Sequence, residues 1–149
     1  MFNPKNILVP TDFSTDSNRA LQTALDIAEK NHARIFLLHV TGGTFQQTLA
    51  DYRIDQRTVD RILNESIFFA DESLRETIDK FPKSREVKVI PDVRNGVPHE
   101  EILIEAAERC IDLIVIASHG KTGLKKYFIG SVAEKVMKEA KCPVLLIRT

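Results

Sequence analysis

The run IDLIVIAS, at residues 111–118, restricts the possible folds more than any other stretch of the chain. It is continuous and rich in β-branched side chains. A strand with one solvated face alternates apolar and polar residues, whereas a central parallel strand is covered by helices on both faces. The run therefore predicts a central strand of an α/β sheet.

The other apolar segments alternate with segments of helical periodicity. Further strands are predicted at residues 5–12, 33–40, 85–93 and 142–148, and helices at residues 14–30, 62–81, 95–110 and 131–140. The order β-α-β-α-β-α-β-α-β is typical of a parallel sheet with right-handed crossovers and helices on both faces. We expect one domain over residues 1–149, built on an α/β, doubly wound, five-stranded parallel sheet.

Local signals refine these boundaries. Ser14 is placed to cap the first helix, and Pro98 falls in the first turn of the third. Val87 and Val89 alternate with charged neighbours before Pro91, which predicts an edge strand that the proline interrupts. Residues 41–57 show no sustained period and are predicted to form a long loop.

Composition excludes several classes of function. The chain has 21 lysines and arginines against 21 aspartates and glutamates, so no basic excess indicates a nucleic-acid surface. No run approaches the roughly 20 apolar residues of a membrane span, and the start lacks a signal peptide, so we expect a cytoplasmic protein. Cys110 and Cys142 lack the spacing of a metal or redox motif, and we expect two reduced, buried thiols.

Ligands of such sheets bind beyond the carboxyl ends of the strands, where the strand order reverses. This rule directs attention to PTD at residues 10–12 and ASHGKTG at residues 117–123. The second segment ends like a Walker A loop, but Val115 stands where that motif requires its first glycine. A phosphate loop of that type is therefore excluded.

The glycines after the fourth strand favour an anion cradle. Gly120 allows a loop to turn its amides inward, while Gly130 and Ser131 stand where the last helix begins, and helix N-termini attract anions. An alternative stays open, in which Gly120 and Gly123 serve tight turns and Ser131 is an ordinary N-cap. Asp12 likewise either caps a loop or accepts hydrogen bonds from ribose hydroxyls.

The remaining polar residues of these segments indicate less. His119 has either a structural or ligand-packing role or an acid–base role, and no partner for it is visible in the sequence. His39, at the end of the second strand, is expected to pack. Lys121, Lys125 and Lys126 either neutralise phosphate or are simply solvated. No histidine spacing indicates a metal site.

Taken together, these segments resemble the universal stress protein family. The nucleotide-binding frame of that family, G-x2-G-x9-G-[ST], falls on Ala117, Gly120, Gly130 and Ser131. Further similar pieces are ILVPTDFS at 7–14, LLHV at 37–40, NGVPHEEI at 95–102, DLIVIASHG at 112–120 and CPVLLIR at 142–148. Ala117 departs from the frame, and we expect little cost if its backbone is ordinary extended strand.

The resemblance implies a Rossmann-like sheet of the adenine nucleotide alpha hydrolase type, with strand order 3-2-1-4-5, that binds ATP with Mg²⁺. Asp12 would hold the ribose, and Pro10, Thr11 and the Val40 backbone would bound the adenine. The phosphates would lie against Gly120, Gly130, Ser131 and Val132. The family also implies a homodimer, formed antiparallel through the last strand at residues 142–148, which Val144→Lys or Leu146→Lys is expected to disrupt.

The sequence offers a phosphate cradle but no identifiable catalytic base, and phosphoryl transfer requires a group that orients the attacking atom. We therefore expect an ATP-binding regulatory module of the stress response, with any hydrolysis slow. Two alternatives stay open: an ATPase or nucleotidyl-transferring enzyme, and a nucleotide-free interaction protein. Gly120, Gly130 and Ser131 match the nucleotide-binding frame and so disfavour a nucleotide-free interaction protein. Only Ala117 supports that alternative.

Overall fold

The computed structural model describes residues 1–119 and 128–148, without the side chains of residues 43–46. The strands are β1 (Asn6–Pro10), β2 (Arg34–Gly42), β3 (Val89–Gly96), β4 (Leu113–Ala117) and β5 (Val144–Ile147). The helices are α1 (Thr15–Asn31), α2 (Gly43–Asp51), α3 (Gln56–Asp79), α4 (Pro98–Glu108) and α5 (Ser131–Glu139), with a 3-10 turn at Pro82–Arg85.

The five strands form one all-parallel sheet in the order β3-β2-β1-β4-β5. This arrangement confirms the predicted fold class and strand order. Every residue of β4 is buried, because β1 and β5 flank it and helices cover both of its faces. The order reverses between β1 and β4, so the segments after these two strands begin at the same edge of the sheet.

The core consists of two apolar layers, one on each face of the sheet. Successive side chains of a strand point to opposite faces, so neighbouring residues of β1 enter different layers. Ile7 packs in the layer that includes Leu25 of α1 and Leu74 of α3. Leu8 packs in the layer that includes Ile102 of α4 and Val136 of α5.

Strand β3 lies at one edge, as predicted, but Pro91 does not interrupt it. The carbonyl of Lys88 accepts a hydrogen bond from the Ile35 amide of β2. In a strand, the backbone N–H and C=O groups of every second residue point to the same side. Pro91 is three residues after Lys88, so its backbone groups point away from β2, and the N–H group that proline lacks would have faced the open edge of the sheet. The proline is therefore compatible with the edge.

Three local expectations are wrong. Residues 41–57 do not form a long loop, because β2 continues to Gly42, α2 follows, and α3 begins at Gln56. The helix predicted at 62–81 rests on the helical spacing of Ile62, Phe69, Leu74, Ile78 and Phe81, which places Phe69 on the apolar face, but Phe69 lies on the exposed side of α3. Cys110 is exposed, at a left-handed backbone position just after α4.

Candidate functional site

The turn after β1 is tied to the end of β2. The Thr11 amide donates to the Leu38 carbonyl at 2.8 Å, and the Thr11 hydroxyl accepts from the Phe13 amide at 3.0 Å. Phe13 has a φ of 66°, a left-handed conformation that reverses the chain toward α1. These bonds hold Thr11, which is buried, and direct the following residue to the edge of the sheet.

The Asp12 carboxylate is oriented by the first turn of α1. Its Oδ1 accepts from the Ser17 hydroxyl at 2.7 Å and from the Ser14 amide at 3.0 Å. The Ser14 hydroxyl in turn accepts from the Ser17 amide, which confirms Ser14 as the N-cap of α1. Asp12 therefore has the capping role that the sequence left open, and this role also fixes its carboxylate in one orientation.

His39 belongs to the site, although sequence reasoning assigned it only to packing. Its Nδ1 lies 2.8 Å from the Thr11 carbonyl, and its ring centroid is 4.6 Å from that of Phe13. A carbonyl only accepts hydrogen bonds, so Nδ1 carries the proton and donates. The signal that could have identified His39 is its position at the end of the predicted second strand, which places it directly after Leu38, the β2 residue that pairs with the last residue of β1.

The strand β4 ends at Ala117, which is buried and has no positive φ. The extended backbone expected for this residue is thus confirmed, and a methyl group there causes no backbone strain. Ser118 follows Ala117, and its amide donates a hydrogen bond to the Ile147 carbonyl. The Ser118 hydroxyl lies 2.9 Å from Nδ1 of His119. Gly120, Gly123 and the three lysines of the loop lie outside the described residues.

Helix α5 begins at Ser131, and its N-cap is Gly130, which makes no side-chain capping bond. The interpretation of Ser131 as an ordinary N-cap is therefore wrong. The Gly130 amide donates to the Ser118 carbonyl at 2.7 Å, and a Cβ at Gly130 would lie 3.1 Å from the same oxygen. The absence of a side chain lets the start of α5 approach the end of β4 closely.

These segments enclose a cleft of about 350 Å³ at the edge of the sheet. Its lining includes every described residue of the predicted site: Pro10, Thr11, Asp12, Val40, Ala117, His119, Gly130, Ser131 and Val132. It also includes residues to which the sequence analysis assigned no ligand-binding role: Ser17, Leu38, His39, Pro98, Ile102, Ile116, Ser118 and Ala133. A mostly apolar wall with a few convergent polar groups is typical of a small-molecule site.

Two further features concern residues 1–119 and 128–148. Among them, no group of three or more histidines, cysteines or acidic residues is arranged to hold a metal ion. No helix in the same part of the chain has the length and apolar character to cross a membrane.

Residues 3–148 match the family described as Universal stress protein family. The chain belongs to the universal stress protein family. It is 34% identical to universal stress protein MJ0531 of Methanocaldococcus jannaschii over 97% of this chain and 82% of that protein. It is also 34% identical to universal stress protein YxiE of Bacillus subtilis, over 99% of this chain and 100% of that protein.

Solved structures of the family share the fold. The structure of MJ0577 from Methanocaldococcus jannaschii has a TM-score of 0.76 at 29% identity, covering 99% of this chain and 98% of that one. A universal stress protein in complex with cAMP (TM-score 0.67, 21% identity) covers 99% and 98%. One from Archaeoglobus fulgidus in complex with dAMP (TM-score 0.59, 20% identity) covers 99% and 100%.

Proposed function

We propose that this universal stress protein binds an adenine nucleotide, ATP in the first place, in the cleft between β1, β4 and α5. One observation carries the proposal: an oriented carboxylate and a helix N-terminus whose N-cap, Gly130, makes no side-chain capping bond line the same cleft. A carboxylate accepts hydrogen bonds from ribose hydroxyls, and a helix N-terminus attracts phosphate. A nucleotide presents both groups at once, and its base would occupy the apolar part of the cleft.

The two ends of the cleft suit different parts of a nucleotide. Pro10, Thr11 and Val40 form the wall on the β1–β2 side, where the adenine would lie and where Asp12 would accept from the ribose. Gly130, Ser131 and Val132 form the opposite wall. The first amides of α5 have no partner within the helix, so they are available to phosphate oxygens.

Three further residues complete this assignment. Ala117 and His119 also line the cleft, and we assign them to packing against the sugar and phosphates. Gly120 is assigned to the phosphates by its place in the family frame and lies outside the described residues. Complexes of two family structures with cAMP and dAMP show that this fold accommodates adenine nucleotides in those proteins.

Magnesium would bind together with the nucleotide, through its phosphates. The described residues contain no metal cluster, and Mg²⁺ is commonly held by substrate phosphates, waters and only one or two protein groups. The Ser131 hydroxyl, which lines the cleft at the start of α5, is one protein oxygen at the phosphate end. The ion would neutralise phosphate charge there.

The nucleotide is proposed to act as a regulatory signal of the stress response. Phosphoryl transfer requires a residue that orients the attacking group, and we assign this role to none of the described residues that line the cleft. A bound nucleotide would instead contact both the start of α5 and the turn after β1, and would hold these two segments together. Its occupancy would thereby bias the surface that a partner protein recognises.

A homodimer through β5 is part of the proposal. This strand is the edge opposite β3, and an uncovered edge presents unpaired backbone groups. Val144 and Leu146 pack against the core, so lysine at either position would also disturb folding. Leu145 is 37% exposed and tests the dimer more cleanly.

The test is to denature freshly purified protein, identify any released nucleotide by chromatography, and titrate the stripped protein with ATP, with and without Mg²⁺, by calorimetry. We expect stoichiometric binding that Gly130→Val abolishes, because the added side chain would contact the Ser118 carbonyl at the helix N-terminus. Met137→Val, on the exposed side of the same helix, is the matched control and should bind normally.

Two results would contradict the proposal. Folded protein that carries no nucleotide and gives no binding heat would favour the nucleotide-free interaction module. Steady phosphate release that saturates with ATP would instead favour an ATPase. Circular dichroism of each variant would separate lost binding from lost folding.

A further inference from the structure

Helix α3 presents an unusual stripe to solvent, which we name the α3 outer stripe. Its residues follow the spacing of a single helix face, and all are exposed: Arg57, Arg61, Glu65, Phe68, Glu72 and Glu76. The opposite side of the helix packs on the sheet through Ala70, Leu74 and Thr77. The stripe is therefore not used by the fold that the described residues form.

The centre of this surface is aromatic. Phe68 is 59% exposed and its neighbour Phe69 is 63% exposed, with ring centroids 5.9 Å apart in an edge-on arrangement. Ile67 adds a further exposed apolar side chain. Adjacent large apolar residues that remain in water mark an interaction surface more often than single ones do.

The charges at the two ends oppose the helix dipole. Arg57 lies in the first turn of α3 and Glu76 in the last, where acidic and basic residues respectively would be favoured. Within the described part of the chain, Arg57, Arg61, Glu72 and Glu76 form no ion pair. Apart from the attraction between Arg61 and the N-cap carboxylate of Asp55, helix stability therefore does not account for this charge pattern.

The charges of the α3 outer stripe are complementary to those of a second, antiparallel copy of the same stripe. When two copies of α3 lie antiparallel around a two-fold axis between residues 66 and 67, Arg57 faces Glu76 and Arg61 faces Glu72. The axis repeats each pairing, so four opposite-charge contacts form, and each Phe68 lies within one turn of the centre. Glu65 then faces Phe68 of the other copy, where the positive ring edge is compatible with a carboxylate.

We propose that the α3 outer stripe is a self-association surface, which pairs antiparallel with the same stripe of a second copy of this chain. Charge complementarity selects this partner, because one helix carries both halves of the match. The surface is independent of the nucleotide cleft, whose lining includes no residue of α3. Helix α3 packs on β2 and β3, at the opposite end of the sheet from β5.

This location has a consequence for assembly. A contact at α3 and a contact at the β5 edge do not compete, because they lie at opposite ends of the sheet. Each would be isologous, so a chain that uses both forms assemblies larger than a dimer. The α3 contact should weaken at high salt, since its charged groups are exposed.

The test uses two charge-reversed variants of the full chain. The acidic variant carries Arg57→Glu and Arg61→Glu, and the basic variant carries Glu72→Arg and Glu76→Arg. Each alone places like charges opposite one another, and sedimentation velocity should show the α3 association weakened at least about tenfold. A mixture of the two variants should associate again, because the stripe of one then complements that of the other.

Two further variants complete the design. The fourfold variant with both reversals should self-associate as the wild type does, and Phe68→Ser should weaken association without loss of folding. Leu145→Lys in every background removes the proposed β5 contact, so the two surfaces are measured separately. Double variants that sediment like the wild type, or that fail to associate when mixed, would overturn the proposal and assign Phe68 and Phe69 to another partner.

Discussion

Replacing His39 by phenylalanine tests whether the hydrogen bond to Thr11 holds the turn that carries Asp12. The phenylalanine ring keeps the contact with Phe13 but removes the Nδ1 donor that lies 2.8 Å from the Thr11 carbonyl. Thr11 is only 7% exposed, so water replaces the donor poorly. Depriving a buried acceptor of its partner costs about 1–3 kcal/mol in the free energy of unfolding.

For a chain of this size, each kcal/mol lowers the melting temperature by about 2–4 °C, so a loss near 2 kcal/mol corresponds to roughly 4–8 °C. The matched control is His39→Asn, whose amide nitrogen takes a position close to that of Nδ1 and can donate to the same carbonyl. Thermal denaturation followed by circular dichroism should show that asparagine restores most of the stability that phenylalanine loses.

The same variants should differ in ligand affinity. If His39 positions Asp12 through Thr11, His39→Phe should weaken ATP binding by roughly 3- to 10-fold, through lost preorganisation, and affect a 2′,3′-dideoxy analogue less. Calorimetry of both ligands checks this. Equal melting temperatures for wild type and His39→Phe, or an asparagine variant as weak as the phenylalanine one, would refute the role given to the donor.

Three further predictions follow from other parts of the molecule. Burial, and then the neighbouring Asp92, raises the pKa of the Glu105 carboxyl in the native state. The native state therefore binds this proton more tightly than the unfolded state, and stability is lost as pH rises through the native pKa. Urea titrations should show that the free energy of unfolding declines less steeply with pH in Glu105→Gln. Ser14→Ala removes the cap of α1 and should cost about 1 kcal/mol, which Ser14→Asp recovers in the same assay. In a background of Arg57→Glu and Arg61→Glu, which removes the α3 contact, Leu145→Lys should convert dimers into folded monomers in light scattering, and an unchanged dimer mass would count against the β5 interface.

Much of the architecture follows from local patterns in the sequence. The apolar run of β4 and the helical period of α1 were sufficient to predict both elements, and Ser14 and Pro98 predicted where two helices begin. Signals of this kind succeed because a buried strand or an amphipathic helix imposes its own period on the residues that form it. Helix α2 escaped prediction, since its nine residues follow a glycine N-cap and carry no side-chain capping signal.

The candidate site depended on both levels. The sequence alone determined that residues 10–12 and 117–131 follow strand ends and carry groups suited to a nucleotide. The resemblance to the family then assigned the two segments to one binding site. Only the tertiary structure decided that His39 donates to Thr11, that Gly130 rather than Ser131 caps α5, and that the aromatic side chains of α3 face solvent. The physical reason is that period and capping act within a few residues of the chain, whereas these contacts depend on which strands and helices pack side by side.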